Sequence, residues 1–279
     1  MAIASIKEDS ERAQHRPLIE LRNISLQYAN GKNDLPVLDH INLRLDANDF
    51  VCLLGPSGCG KSSLLNILAG YQKPTAGEVM INDKPHTRPS SDVGVVFQHH
   101  NLFPWMTIEK NVEFGLKMKS VPKSERKKLV SYYLHLVGLE ASAKMLPYQL
   151  SGGMKQRASI ARTLAADPQA ILMDEPFSAL DALTRENMQI HLLDIWKKTK
   201  KCIIFITHDV EEAILLGKRI LVMNSQPGRI VVDLPNPLSK YNQSVEEIKH
   251  LKEFSDLRHY LISAIRGHFK AKNALNEIF

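Results

Sequence analysis

Two stretches near the start of the chain, LIELRNISLQY from Leu18 and VLDHINLRL from Val37, alternate apolar and polar residues, the period of a strand with one wet face. The turn-rich segment ANGKND at 29–34 separates them, so they are expected to pair as antiparallel strands. Residues 50–54, FVCLL, replace the alternation with a continuous apolar run, as a strand buried on both faces requires. A Gly-rich turn follows, and then a helical pattern over 61–69. The same strand-then-helix rhythm returns at 170–173 before a helix over about 182–198, and at 202–207 before 210–216. A last apolar run at 219–223 ends at the turn Pro227-Gly228.

Between Phe103 and Ala166 the pattern becomes helical, punctuated at Val121-Pro122 and Gly138, with apolar positions at Leu129, Tyr133, Leu136 and Val137. From about Val245 the residues Ile248, Leu251, Phe254, Leu257, Leu261 and Ile265 recur at three- and four-residue intervals, which predicts one amphipathic helix. The expected organisation is a core at 18–238 with a helical insert at about 99–166, a C-terminal helical extension at 239–279, and a flexible N-terminal segment at 1–17. Neither an internal repeat nor a low-complexity tract interrupts it.

Composition narrows the class without naming a function. With 279 residues, 44% hydrophobic and 24% charged, the chain has the makeup of an ordinary folded domain rather than a disordered or fibrous one. No window approaches the ~18 consecutive apolar residues of a membrane span, so any role at a membrane implies a partner. Residues 1–16 lack the apolar core and cleavage site of a secretory signal, and the chain is expected in the cytosol. Cys52, Cys59 and Cys202 have neither CxxC spacing nor an even count, which fits free thiols. The formal charge of +6 is compatible with nucleic acid, anionic lipid or nucleotide and discriminates weakly among them.

The motif that carries chemistry is GPSGCGKS at 55–62, which fits G-x-x-x-x-G-K-[ST] and falls between the predicted buried strand and its helix. Backbone N–H groups of Gly55, Pro56, Ser57, Gly58, Cys59 and Gly60, proline excepted, can curl around phosphate oxygens. The helix N-terminus at Lys61, Ser62 and Ser63 adds positive potential. Lys61 is suited to the β- and γ-phosphates and the Ser62 hydroxyl to Mg²⁺. Cys59 sits beside this cation and helix N-terminus, which predicts a lowered thiol pKa, inactivation by an alkylating reagent and protection by ATP, although for its function the preferred reading is a small residue that fits the loop. The run AILMDE at 170–175 ends an apolar strand in two carboxylates. Paired with the phosphate loop, Asp174 is the candidate Mg²⁺ ligand and Glu175 the candidate base for an attacking water. These motifs predict an α/β fold: a P-loop NTPase core with an antiparallel β subdomain and a helical subdomain.

LSGGMKQR at 150–157 is similar to the signature LSGGQ of ABC transporter ATP-binding subunits, with Met154 where the family carries Gln. Ser151, Gly152 and Gly153 are unchanged, so the departure is expected to have a modest effect. On the residues alone, this segment is a capped helix start and a second anion-binding end. The resemblance implies that the signature of one subunit caps ATP held by the loop of the other. A homodimer with two ATP sites follows, or a pair with a paralogue. The resemblance also assigns Tyr28 to adenine stacking, Gln98 to a loop touching Mg²⁺ or water and sensing the membrane subunit, SALD at 178–181 to a segment crossing the dimer interface, and His208 to a contact with the γ-phosphate that also holds the Glu175 region in place. Alone, Tyr28 reads equally as a strand aromatic and His208 as a structural histidine.

Three further stretches, NLFPWMTIEKNV from Asn101, QPGRIVVDLPNPL from Gln226 and FSDLRHYLISAI from Phe254, resemble the nitrate, sulfonate and taurine importers of that family. Phe103, Pro104, Trp105 and Met106 then either line a groove for a permease helix or belong to the core of the insert. The resemblance implies a separate integral membrane permease, an extracytoplasmic solute-binding protein acting indirectly, and a position on the cytoplasmic face of the membrane. ATP and Mg²⁺ are the expected ligands and nucleic acid is not expected. An exporter ATPase shares the catalytic motifs. A non-transport ABC ATPase of the DNA-repair or ribosomal kind usually has a long insert or two ATPase cores, and neither is present.

Overall fold

The computed structural model describes residues 16–28, 35–240 and 245–267. The turn expected at 29–34 and most of the N-terminal segment lie outside them. Strand β1 (Ile19–Tyr28) pairs antiparallel with β2 (Leu35–Leu45), Ile19 opposite Leu45 and Tyr28 opposite Leu35. Strands β4 (Ala76–Ile81) and β5 (Lys84–Pro85) complete a four-stranded sheet in the order β2-β1-β4-β5. The sequence pattern signals neither of the last two, because β4 buries only Val79 and Ile81 and β5 is two residues long.

The second sheet has the order β10-β9-β3-β8-β7-β6. Its strands are β3 (Phe50–Leu54), β6 (Val93–Val96), β7 (Ala170–Asp174), β8 (Cys202–Thr207), β9 (Arg219–Asn224) and β10 (Arg229–Pro235). All its neighbours pair parallel except β10, which returns antiparallel along β9. The apolar runs behave as a doubly covered sheet demands. Along β3, Phe50, Cys52 and Leu54 face one core while Val51 and Leu53 face the other. On one side lie helix α1 (Lys61–Leu68) and the antiparallel sheet. On the other lie α4 (Gly152–Ala165), α5 (Ala182–Thr199) and α6 (Val210–Leu216), with Phe50 and Phe177 packed against Phe205.

Helices α2 (Ile108–Met118) and α3 (Lys123–Leu136) pack with α4 as a helical unit between β6 and β7 in the chain. Side-chain caps start several of the helices. Thr107 accepts from Lys110 N at α2, Asp181 from Thr184 N at α5, and Asp209 from Glu211 N and Glu212 N at α6.

The single C-terminal helix expected after Val245 is two helices, α7 (Val245–Lys249) and α8 (Lys252–Ile265). Leu251 adopts an extended backbone at the break, where neither Gly nor Pro signals one. Phe254, Leu257, Tyr260 and Leu261 of α8 share a core with Ala213, Ile214 and Leu216 of α6. Helix α8 is thus part of the same folded body. Because Leu257 is fully buried there, Leu257→Ala is expected to cost about 2–5 kcal/mol of stability, read as a lower urea midpoint.

Candidate active site

Parallel strands β3, β8, β7 and β6 are neighbours, and each ends at the same edge of the sheet. Leu54 lies opposite Thr207, Asp174 opposite Ile206, and Val96 opposite Met173. The chain therefore leaves these strands into Gly55, His208, Glu175 and Gln98 side by side, with about 4.8 Å between strands. Carboxyl ends of parallel strands form the ligand-binding crevice of open α/β sheets, and here they gather residues spread over 154 positions, from 55 to 208.

The phosphate loop is held from beneath. A Cβ on Gly55 would lie 2.6 Å from the Met223 carbonyl oxygen, and one on Gly60 2.6 Å from Leu38. Gly60 also has φ +100°, a conformation that glycine adopts at little cost. The turn after β9 closes over the same region, since Gly228 N donates to Val37 O and Gly228 O accepts from Asp39 N. Lys61 is buried, and its Nζ donates to Gly55 O at 2.7 Å and Pro56 O at 3.0 Å. An ammonium has three donors, so one remains for an anion above the loop. Helix α1 starts at Lys61, and its N-cap Gly60 has no side chain to cap it, so its first N–H groups are available to an anion.

Asp174 is half-buried and hydrogen-bonded by the Ser62 hydroxyl. Burial and the adjacent Glu175 charge push its carboxyl pKa up, with Ser62 and Lys61 opposing. Among the described residues no cluster of three or more His, Cys, Asp or Glu side chains could hold a metal unaided. One carboxylate beside one hydroxyl instead suits Mg²⁺, which takes oxygen ligands and usually completes its shell with water and substrate phosphates. The residues present fit that ion.

Glu175 has φ +44°, an uncommon conformation for a residue with a Cβ. Its surroundings hold it there: Glu175 N donates to Ile206 O, and Glu175 O accepts from Ser178 N and Ser178 Oγ. The side chain meets His208, with Glu175 Oε2 3.0 Å from Nδ1. Gln98 Nε2 donates to Ser178 Oγ at 3.0 Å, leaving its amide oxygen for a cation or water. Gln98, Ser178, Glu175 and His208 thus form one hydrogen-bonded chain across the strand ends. Ser178 was expected from the SALD run, whereas its link to Gln98 has no sequence signal, because the two lie 80 positions apart.

The signature segment opens elsewhere. Ser151 caps α4 by accepting from Met154 N at 3.3 Å, and Gly153 packs so closely on α5 that a Cβ would sit 2.8 Å from Thr184. Ser151, Gly153 and Met154 line a cavity of 410 Å³ with Arg157 and α5, and no phosphate-loop residue contributes to it. The helix starts at Lys61 and Gly152 thus do not share that pocket.

The comparisons with known proteins agree on the family of this chain. The family model described as ABC transporter matches residues 38–178. The chain belongs to the ABC transporter family. It is 44% identical to the taurine import ATP-binding protein TauB of Roseobacter denitrificans, over 88% of this chain and 93% of that one. It is 42% identical to the nitrate import ATP-binding protein NrtD of Synechocystis, over 89% and 95%. A solved dimeric post-hydrolysis state of the ATP-binding cassette MJ0796, bound to ADP and Pi, superimposes with a TM-score of 0.68 at 34% identity, covering 78% of this chain and 98% of that one. The protein is an ABC-type ATPase. Among the described residues no helix is long and apolar enough to cross a membrane.

Three expectations for this ABC ATPase take a different or sharper form. Cys59 is buried beneath the loop, and burial pushes its thiol pKa up more than Lys61 and backbone N–H groups pull it down. The expected activation is corrected: proximity to a cation does not help a thiol that points into the core. Tyr28 is 46% exposed at the end of β1, its hydroxyl bonded to Gln72. Of the four residues at 103–106, Trp105 is 72% exposed and Pro104 is exposed, while Phe103 and Met106 are half-buried. Asn111, missed in the sequence reading, ties that loop down by accepting from Phe103 N and donating to the carbonyls of Phe103, Met106 and Thr107.

Because all three cysteines are buried, the folded protein should resist iodoacetamide at neutral pH and take up three equivalents only when unfolded. Intact-mass spectrometry before and after denaturation reads the difference.

Proposed function

We propose that this chain is the ATP-hydrolysing subunit of an importer for a small solute of the nitrate, sulfonate or taurine kind. In this reading it works as a homodimer beneath a separate integral membrane permease, on the cytoplasmic face of the membrane, and an extracytoplasmic binding protein delivers the solute. The observation that carries the catalytic part is the bonded chain Gln98–Ser178–Glu175–His208 at the mouth of the phosphate loop. The import part rests on the taurine and nitrate relatives.

In this reading the loop at 55–63 and Lys61 bind the ATP phosphates, and Tyr28 stacks on the adenine. Ser62, Asp174 and the Gln98 amide oxygen would hold Mg²⁺, which would supply charge neutralisation for the ATP phosphates. Glu175, turned outward by its unusual backbone, orients and polarises the attacking water. His208 holds Glu175 through Nδ1 and contacts the γ-phosphate. Ser151, Gly152 and Gly153 of the partner close the site from above. A signature that opens away from its own phosphate loop supports that arrangement, since each end then needs a second copy. Gln98 and the exposed Trp105 loop on the same subunit couple the site to the permease.

Lys61→Ala is expected to abolish ATP binding, measured by titration with a fluorescent analogue. Glu175→Gln should retain binding, accumulate an ATP-loaded dimer on size exclusion, and lose about a hundredfold or more in hydrolysis rate. A near-normal rate in Glu175→Gln would remove the base assignment. Tagged in its own cells and gently solubilised, the chain should copurify with a multi-span permease; ribosomes or DNA-repair proteins in its place would overturn the transport reading.

A further inference from the structure

The His208 side chain is 60% exposed and, among the described residues, makes one hydrogen bond, to Glu175, so packing does little to orient it. Its orientation depends on the backbone on either side. Thr207, buried at the end of β8, supplies that control. Its Oγ1 accepts from Asp209 N at 2.9 Å, bracing the turn on the far side of His208, and donates to Glu212 Oε2 at 2.5 Å. A hydroxyl has one proton. Committing it to Glu212 fixes the rotamer that turns a lone pair toward Asp209.

Glu212 is an unusual residue to find in this position. It is buried on α6, and its direct partners are neutral: the Thr207 hydroxyl and Gln189 Nε2 of α5, which donates to Oε1 at 3.2 Å. The nearby guanidinium of Arg185 is turned to Asp209 Oδ2, at 4.0 Å, and donates to Leu180 O. Burial pushes the Glu212 carboxyl pKa up, against the two hydrogen bonds. An apolar side chain would fill the same volume without the desolvation cost of a carboxylate. Glu212, with Gln189, joins α5, which begins at the SALD segment, to the turn that carries His208.

We propose that Thr207 and Glu212 are positioning residues that hold His208 against Glu175 and link its setting to α5. The inference rests on the reading of His208 as a contact of the γ-phosphate. It concerns the chemical step and leaves the phosphate loop untouched.

The test is steady-state ATPase kinetics on the full chain, with Thr207→Val, Thr207→Ser and His208→Ala compared. Thr207→Val keeps the side-chain shape and removes the hydroxyl; it is expected to lower kcat about tenfold at a KM for ATP within about twofold, and Thr207→Ser to restore kcat. A folded Thr207→Val with unchanged kcat overturns the proposal, as does a parallel rise in KM or a Thr207→Ser protein equally impaired. If Thr207→Val does not fold, Gln189→Met removes one bond from Glu212: a kcat reduced at constant KM supports the link, and an unchanged kcat overturns it. His208→Ala separates the two levels. A normal rate there defeats the reading of His208 itself, whereas a dead His208→Ala beside a fully active Thr207→Val defeats only the positioning role.

Discussion

The backbone ladder joining β3, β8, β7 and β6 is the constraint on which the site depends. Each rung fixes one residue opposite another, and side chains change face at every step, so a slip of one residue would turn Asp174 and Thr207 to the wrong layer. The register is secured by burial on both faces, where Phe50, Cys52 and Leu54 fill one core and Val51 and Leu53 the other. The same burial that makes these strands read as unbroken apolar runs makes their ends rigid enough to hold chemistry.

At those ends the local geometry departs from what is easiest for the chain. Glu175 holds a positive φ because Ile206, Ser178 and its own strand leave it no other course, and the result is a carboxylate aimed out of the sheet toward His208. Positive φ at a residue other than glycine costs of order 1–2 kcal/mol, a cost offset by the sheet and not by the site itself. Polar groups around it form two connected sets. One runs over the surface from Gln98 to His208, and the other runs beneath from Gln189 to Thr207.

Much of this was legible in the amino-acid order. The phosphate loop, the Asp-Glu strand end and the strand before His208 announce themselves because their residues are contiguous and their apolar runs are long. β4, β5 and β10 did not, since short or edge strands with mixed burial have no clear period. Proximity misled at Cys59: a lysine two positions away suggests an activated thiol, but side-chain direction puts the sulfur in the core. Nor could sequence spacing pair Gln98 with Ser178, or tie Asn111 to the loop that precedes it, because such contacts exist only after the sheet and helices have assembled.

Lys61 shows what this assembly means for the energetics of ligand capture. Its side chain is already buried and bonded to the carbonyls of Gly55 and Pro56, so its rotamers are restricted when the protein folds. Ordering a free lysine costs up to about 2 kcal/mol, and here folding meets that cost before any phosphate arrives. In the reading proposed above, Lys61 therefore meets its ligand already placed. Differences in affinity among its phosphorylated ligands should come from how many oxygens they present to a fixed cradle, and not from how well the cradle can rearrange around them.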